Sequence, residues 1–211
     1  MKSLTTDQTK DMIIAACDAI VESKPYLTEV DSKIGDGDHG IGMAGGMEKA
    51  KAALTAKGHF DDVNSIFKAT GMAMLNSMGG ASGVIFGMMF LGGIKKMDPL
   101  QELDCENFAK IMRGSLEAIK LRGQAKVGDK TMVDALEPAV IAMESAAGDD
   151  MVSFLDAAAK AAAQGVENTK NCIAKFGRAK SLMQRAIGFQ DAGATSVSII
   201  FKAMSAYVQS L

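Results

Sequence analysis

Three aspartates, four glycines and one of the two histidines of this chain fall within the twelve residues 31–42, DSKIGDGDHGIG. Asp31, Asp36 and Asp38 bring three like charges together, and Lys33 is the only Lys or Arg among them. Carboxylates held this close repel one another unless a cation lies between them. Hard oxygen ligands of this kind select Mg²⁺, Mn²⁺ or Ca²⁺. The stretch therefore indicates either a divalent metal site or, since Asp and Gly are ordinary turn formers, a solvated turn.

Further glycine-rich segments precede expected helices and suit the binding of phosphate. They are MGGASG at 78–83, LRGQAKVGDKTM at 121–132 and GFQDAGATS at 188–196. A helix N-terminus presents unpaired N–H groups and the positive end of its dipole. Each segment alone is also consistent with a structural role, and MGGASG alone is more often a tight turn between helices. Their combination with the aspartates favours a phosphate site at one end of a helical bundle.

Three common signatures do not account for these residues. The spacing G-x-G-x-x-G at 40–45 matches a dinucleotide fingerprint, but no hydrophobic strand precedes it. Residues 123–131 differ by one residue from a P-loop and follow helical sequence. A calcium loop beginning at Asp36 would need glycine and glutamate where Ile41 and Met47 stand. None of these motifs explains the aspartates.

Composition and charge exclude several classes of protein. The chain has 211 residues, of which 48% are hydrophobic and 23% charged, so we expect a globular fold with a sizeable core. A net charge of −2 and the lack of Lys/Arg runs argue against a nucleic-acid partner. Three scattered cysteines suit a reducing compartment. A polar N-terminus and apolar stretches of at most about twelve residues predict a cytoplasmic protein without a membrane span.

The elements that must position these residues are expected to be helices. Good helix formers abound, methionine alone contributes 16 residues, and prolines number three. Helices are predicted behind a capping box at 5–8, from Pro25 to near Gly35, and over 40–57, 61–78, 82–97, 103–121, 131–147, 151–175, 179–186 and 195–211. The segment 82–97 is apolar nearly all round, which is typical of a helix at the centre of a bundle. No useful strand pattern, repeat or linker is visible, so the sequence predicts a single all-α domain over residues 1–211.

Five motifs together resemble one known family. They are DxxxxDxDHG at 31–40, GGASG at 79–83, RGxAxxGDKTMxD at 122–134, GRA at 177–179 and DxGATS at 191–196. In this order they resemble the nucleotide-binding L subunit of dihydroxyacetone kinase over nearly the whole chain. The resemblance implies a barrel of about eight antiparallel amphipathic helices with a nucleotide site at one end.

The resemblance also implies a set of site residues. Asp31, Asp36 and Asp38 would hold two Mg²⁺ ions that bridge the phosphates of ADP or ATP. The positions that would bind the nucleotide are His39, Gly40, Ile41, Gly42, Ala81, Ser82, Gly123, Met132, Arg178, Asp191, Ala192 and Gly193. Bound cations that neutralise a transferring phosphoryl group supply most of what this chemistry needs from a protein.

Residue types leave alternatives at several of these positions. Arg178 suits a bidentate phosphate contact or a surface salt bridge. Met132 could pack on an adenine face or belong to the core. Lys130 could add positive charge to the site or be a solvated turn lysine. His39, between metal ligands and a helix start, suits orienting a phosphate better than carrying a phosphoryl group.

The resemblance implies a kinase subunit that is active only with partners. The terminal phosphoryl group would pass to dihydroxyacetone held on a separate K-type substrate subunit. In the phosphotransferase-dependent version a phosphohistidine carrier of the M type would rephosphorylate bound ADP, whereas in the ATP-dependent version the nucleotide exchanges. The resemblance implies neither a nucleic-acid nor a membrane partner, and it leaves a homodimer open.

Departures from the family pattern leave the substrate and the retention of ADP open. Gly42 replaces a usual Asn, and FQDAG, with Phe189 and Ala192, replaces HxDPG. The segment 176–186, FGRAKSLMQRA, also differs from its usual form. Three alternatives follow: an ATP-dependent kinase subunit for another ketose such as erythrulose, a metal-dependent phosphohydrolase, and a non-catalytic nucleotide-sensing regulatory subunit. The complete set of three aspartates favours phosphoryl transfer over binding alone.

Overall fold

The computed structural model of the chain describes residues 1–148 and 150–211. Within these residues the α-helices are α1 (Thr6–Glu22), α2 (Lys24–Ser32), α3 (His39–Lys57), α4 (Val63–Ser77), α5 (Gly80–Leu91), α6 (Cys105–Gly123), α7 (Val133–Ser145), α8 (Met151–Thr169) and α9 (Ala192–Gln209). A 3₁₀ helix spans Arg178–Ala186. Two short strands, β1 (Ser3–Thr5) and β2 (Glu102–Asp104), pair antiparallel. The all-α prediction is confirmed.

Eight of these helices close into a ring. In the order α1, α3, α4, α5, α6, α7, α8, α9, each packs against the next, and α9 returns to pack against α1. Consecutive helices that pack side by side across short connections run antiparallel. The remaining helix, α2, packs outside the ring against α3 and α9. The N-termini of α3, α5, α7 and α9 therefore meet at one end of the barrel, where the C-termini of α4, α6 and α8 also lie.

The apolar faces of the helices fill the ring. Phe67 of α4, Phe90 of α5, Phe108 of α6 and Phe154 of α8 form a chain of ring contacts with centroids 5.8 to 6.3 Å apart. Each is almost fully buried, and burial of a large apolar side chain stabilises a fold by about 1.5–3 kcal/mol. No described helix combines the length and the apolar character that crossing a bilayer requires.

The start of α1 is formed as its sequence predicts. The Thr5 hydroxyl accepts a hydrogen bond from Gln8 N at 3.2 Å, and the Gln8 side chain accepts one from Thr5 N at 3.0 Å. This reciprocal capping box satisfies two backbone donors that the helix itself leaves unpaired. It also fixes the junction at which β1 leads into α1.

The prediction of a central helix over 82–97 is wrong in both length and place. The helix ends at Leu91, and α5 lies in the ring between α4 and α6. A Cβ atom at Gly93 would lie 2.7 Å from the Cα atom of Ile111, so this close approach to α6 requires glycine. The all-round apolar character of α5 has a local cause: its N-terminal half faces an open apolar pocket instead of a second helix.

Other predicted boundaries also differ from the structure. The helix predicted from residue 103 begins at Cys105, because Glu102–Asp104 form β2. A three-residue strand is too short to show alternation in sequence. The helix predicted over 151–175 ends at Thr169. The segment 179–186 is a 3₁₀ helix interrupted at Met183, whose φ of 51° and ψ of −122° are not helical.

Candidate functional site

The three aspartates converge at the shared end of the barrel. Asp31 lies in the last turn of α2, and Asp36 and Asp38 lie in the loop that leads into α3. One carboxylate oxygen from each residue lies within 4.8 Å of the others. The loop must be tight here, because a Cβ atom at Gly35 would lie 2.8 Å from Asp31 Cγ and Gly37 has a φ of 77°. The glycines between the aspartates thus let the carboxylates meet.

The electrostatics of this cluster suit a cation. Two carboxylates about 5 Å apart repel by roughly 3 kcal/mol at an effective dielectric constant of about 20. Local burial, Asp36 and Asp31 all raise the pKa of Asp38, while Arg178 opposes them. Arg178 Nε donates to Asp36 Oδ2 at 2.8 Å, although the arginine side chain is 78% exposed. Converging oxygen donors with one exposed guanidinium as counter-charge fit a hard divalent ion.

His39 is held in one orientation at the start of α3. Its Nε2 atom lies 2.8 Å from Ser196 Oγ of α9, and its ring packs against Phe86 with centroids 5.9 Å apart. Its backbone N–H donates to Asp31 Oδ2 at 3.3 Å. Burial lowers the pKa of the imidazole, so the neutral form is favoured. A half-buried, fixed ring suits orienting a ligand better than exchanging a phosphoryl group with a carrier.

The first turn of α3 also contains Gly40, Ile41 and Gly42, which the family resemblance predicts to bind the nucleotide. A Cβ atom at Gly40 would lie 2.5 Å from Lys24 O and 2.7 Å from Thr28 N, so glycine permits the close approach of α3 to α2. Ile41 is exposed, and a Cβ atom at Gly42 would meet nothing within 4 Å. Gly40 therefore places the aspartate loop, whereas Ile41 and Gly42 face open space at the mouth of the barrel.

An apolar pocket of about 420 Å³ opens at the same end. It brings together Ala81, Gly123 and Met132, which come from α5, α6 and the turn before α7. Its other lining residues are Val84, Ile85, Ile119, Arg122, Ala125, Thr131, Val133, Phe176 and Gly177. The volume lies in the usual range for small-molecule sites. Ser82 lies exposed in the first turn of α5, one residue beyond the pocket-lining Ala81.

The first turn of α9 adjoins both the pocket and the histidine. Asp191 caps this helix, and its Oδ2 accepts from Ala194 N at 2.7 Å. Burial raises the pKa of Asp191 to about 7, although the Ala194 N–H and Lys130 oppose the shift. A Cβ atom at Gly193 would lie 3.4 Å from Met132 N, so α9 and the pocket wall meet here. Ala192 is buried beside them.

The structure also shows residues that sequence reasoning missed or left open. Lys130 is almost completely buried, which excludes the solvated turn lysine. Asp134 is buried as well, and its two oxygens accept from Gly128 N and Thr131 N, each at 2.7 Å. These bonds shape the loop from 123 to 131. Phe176 lines the pocket, but a single aromatic residue in a loop gives no sequence signal for this contact.

Comparisons with known proteins find relatives that match most of the chain. The model of a family described as DAK2 domain matches residues 33–206, which include Asp36 and Asp38 and begin just after Asp31. The ADP-binding subunit DhaL of PEP-dependent dihydroxyacetone kinase 1 from Listeria innocua is 40% identical over 185 residues, which are 88% of each chain. The ADP-binding subunit DhaL of PEP-dependent dihydroxyacetone kinase from Escherichia coli K12 is 34% identical over 205 residues, 96% of this chain and 97% of that one.

A solved structure shares the fold. The dihydroxyacetone kinase from C. freundii, in complex with AMP-PNP and Mg²⁺, superposes with a TM-score of 0.73 at 24% identity. The match covers 98% of this chain but only 34% of that chain, so this chain spans about a third of the larger kinase. At this identity the similarity establishes the helical barrel.

Proposed function

The chain belongs to the DAK2 domain family, and on that premise we propose that it is the ADP-binding, phosphoryl-transferring subunit of a multi-component dihydroxyacetone kinase. The observation that carries the proposal is the convergence of Asp31, Asp36 and Asp38 within 4.8 Å at the mouth of the barrel. An apolar pocket of about 420 Å³ opens at the same end. A nucleotide needs both features, one for its base and one for its charged phosphates.

In this proposal the base of ADP occupies the apolar pocket. Met132 and Phe176 line that pocket and offer apolar surface to a purine face. The phosphates then lie toward the N-termini of α3, α5 and α9, whose first-turn N–H groups favour anions. Met132 can belong to the core and to the base pocket at once, because it is almost fully buried and still lines the pocket wall.

Asp31, Asp36 and Asp38 would hold Mg²⁺, and we propose two ions. Ions held there would supply positive charge to neutralise the negative charge that develops during phosphoryl transfer. Arg178 now pairs with Asp36, and its exposed guanidinium is free to turn toward a phosphate once Asp36 binds a cation. His39, fixed by Ser196 and Phe86, keeps the first turn of α3 oriented toward the phosphates.

The proposal includes two partners and a cytoplasmic location. A K-type subunit would present dihydroxyacetone, and an M-type phosphohistidine carrier would restore the phosphoryl group. Exposed apolar side chains in the segments around the mouth support such docking: Ile41 is 57%, Met183 67% and Leu121 79% exposed. The three cysteines would stay reduced in the cytoplasm.

Calorimetric titration of the isolated chain with ADP tests the proposal. We expect tight binding in Mg²⁺ and binding at least about tenfold weaker in EDTA, since phosphates cannot approach three carboxylates without a cation. Mass spectrometry of gently purified protein should also find ADP bound. Equal ADP affinity in Mg²⁺ and EDTA would overturn the assignment of the aspartates. Hydrolysis of phosphate esters by the chain alone would favour a phosphohydrolase instead.

A further inference from the structure

Lys130 occupies a costly position at the site end of the barrel. Its side chain is 1% exposed, and its φ of 60° places the backbone in the left-handed region. For a residue with a Cβ atom this conformation is unfavourable, and removing an ammonium group from water is more so. Such residues persist where their contacts hold them in place. The contacts of Lys130 therefore indicate what its burial achieves.

The Lys130 ammonium joins two segments that are remote in sequence. Its Nζ atom donates to Thr169 O at 2.6 Å and also donates to Phe189 O. Thr169 is the last residue of α8, where carbonyl groups lack partners within the helix. Phe189 lies two residues before Asp191, the N-cap of α9. One cation thus links the loop before α7 to the end of α8 and to the entry of α9.

Neutral hydrogen bonds support the same junction on either side of the ammonium. Gly188 N donates to Lys170 O at 2.7 Å, and Asp191 N donates to Thr169 Oγ1 at 3.0 Å. The carboxylates of Asp191 and Asp134 lie near enough to raise the pKa of Lys130, although burial outweighs them and lowers it. The ammonium therefore supplies two hydrogen bonds and places a positive charge near the carboxyl groups of Asp134 and Asp191.

The junction determines where the first turn of α9 lies. That turn carries Asp191, Ala192 and Gly193, and Gly193 lies against Met132 of the base pocket. Ser196, one turn further, holds the ring of His39. A small movement of the α9 entry would therefore change the pocket wall and the histidine together.

We infer that Lys130 is a positioning residue for the nucleotide site: its buried ammonium, bound to the carbonyl groups of Thr169 and Phe189, holds the first turn of α9 against Met132 and His39. The role in nucleotide binding rests on the proposed function. The two hydrogen bonds of the Lys130 ammonium do not rest on that proposal, because they are present in the ligand-free chain. Lys130 need not touch the nucleotide to affect its affinity.

The test combines hydrogen exchange with nucleotide affinity in the full chain. Lys130→Met keeps the length of the side chain and removes its donors and charge. In ligand-free protein we expect amide exchange across 186–195 to become about tenfold faster, while 105–116 of α6 keeps its protection. The Kd for ADP in Mg²⁺ should rise about tenfold, as expected for hydrogen bonds to a charged group.

Two controls separate positioning from a general loss of stability. Lys126→Met removes an exposed charge from the same loop and should leave exchange and Kd unchanged. Phe108→Leu weakens the core on α6 near the other end of the barrel, and it should lower Tm without changing exchange at 186–195 or Kd. If Phe108→Leu changes both quantities as much as Lys130→Met does, the effect is one of stability and the inference fails.

A second variant covers the case in which Lys130→Met does not fold. Lys130→Gln keeps a donor but is too short to reach both carbonyl groups and carries no charge, so the same changes should appear. Parent-like exchange at 186–195 in the folded variants would overturn the inference, whatever the nucleotide data show. A parent chain that binds no ADP in Mg²⁺ would instead overturn the proposed function, and the exchange data would still decide the role of Lys130.

Discussion

Each aspartate of the cluster is placed by a different neighbour. Asp31 lies on the last turn of α2 and accepts from His39 N, Asp36 pairs with Arg178, and Asp38 immediately precedes α3. The like charges repel one another and so destabilise the ligand-free protein, and solvent weakens this repulsion because Asp36 and Asp38 are exposed. A bound cation removes that repulsion, so the cluster should couple stability to metal and nucleotide. The role of the three aspartates can therefore be tested by measuring melting temperatures with and without Mg²⁺ and ADP.

Asp36→Asn should separate a metal site from a solvated turn. The amide keeps an acceptor for Arg178 and removes part of the repulsion, so in EDTA the variant should melt no lower than the parent. The upshift that Mg²⁺ and ADP give the parent should be largely lost, because ligand stabilisation scales with occupancy. Differential scanning fluorimetry in both buffers measures these shifts.

Asp61→Asn provides the matched control for this substitution. Asp61 is an exposed carboxylate beyond the C-terminus of α3, at the far end of that helix from the cluster. The Asp61→Asn variant should melt at the same temperature as the parent and should show the full increase in melting temperature with Mg²⁺ and ADP. If the Asp36→Asn variant also keeps the full increase in melting temperature, the three aspartates form a solvated turn and not a metal site.

The desolvated carboxyl group of Asp191, a half-buried residue, should make stability depend on pH. Burial raises its pKa to about 7 in the folded chain, whereas an unfolded aspartate has a pKa of about 3.9. The folded state therefore holds a proton that the unfolded state loses. The stability gained is fully present below about pH 4 and is lost as the pH rises to about 7.

Asp191→Asn should remove this dependence while still capping α9. Relative to the variant, the parent should lose on the order of 2 kcal/mol of unfolding free energy between about pH 4 and 7, after allowance for partial exposure. Urea unfolding in EDTA without nucleotide, at a series of pH values, measures the difference. A difference that stays constant across this range would contradict the assignment.

Sequence motifs point to the residues proposed to face the ligand more clearly than to the residues that support them. Asp36 and Asp38 stand out because charge and glycine are concentrated around them. The burial of Lys130 has no such signal, because a lysine in a turn rich in Gly and Asp is ordinarily solvated. It becomes buried only when α8 and α9 close over it. Tertiary packing alone decides such roles.

At the scale of elements, the approach of α3 to α2 positions the aspartate loop. The backbone of α2 leaves no room for a Cβ atom at Gly40, whereas the space around Gly45 on the same helix is open. Gly40→Ala should therefore lower the unfolding free energy by about 1–3 kcal/mol. Gly45→Ala should raise it by about 0.5–1 kcal/mol, because alanine favours the helix.

Chemical denaturation and ADP titration measure both variants. Gly40→Ala should also weaken binding of ADP in Mg²⁺, since pushing α3 away from α2 moves Asp38 relative to Asp31. Gly45→Ala should bind as the parent does. If Gly40→Ala is as stable as Gly45→Ala and binds equally well, the close approach does not position the loop.

Helical periodicity predicted the existence of the elements but not all of their ends. Apolar spacing predicted the helices that enclose the core, and the capping box predicted the start of α1. The end of α5 was missed because Gly92 and Gly93 pack against α6, a contact between distant residues. The strand β2 was missed because its pairing with β1 joins residues about a hundred positions apart. The pattern of neighbouring residues in the sequence cannot predict contacts between distant residues.

At the scale of the whole molecule, the closed ring explains why one end carries the chemistry. Antiparallel neighbours bring alternate helix N-termini to the same end, and the glycine-rich segments that precede them meet there. The motifs are spread over most of the sequence for this reason. The described residues offer a place for a nucleotide, and we propose that another subunit binds the ketone substrate.

The most direct test of this account is reconstituted phosphoryl transfer, with formation of dihydroxyacetone phosphate as the signal. The isolated chain with Mg²⁺, ATP and free dihydroxyacetone should form no product. Adding the substrate subunit together with ATP or a phosphohistidine carrier should start turnover, and Asp36→Asn should abolish it. Parallel reactions with erythrulose identify the preferred ketose. Robust turnover by the chain alone, or a complete system that stays inactive with this chain but runs with the subunit from Escherichia coli, would contradict the account.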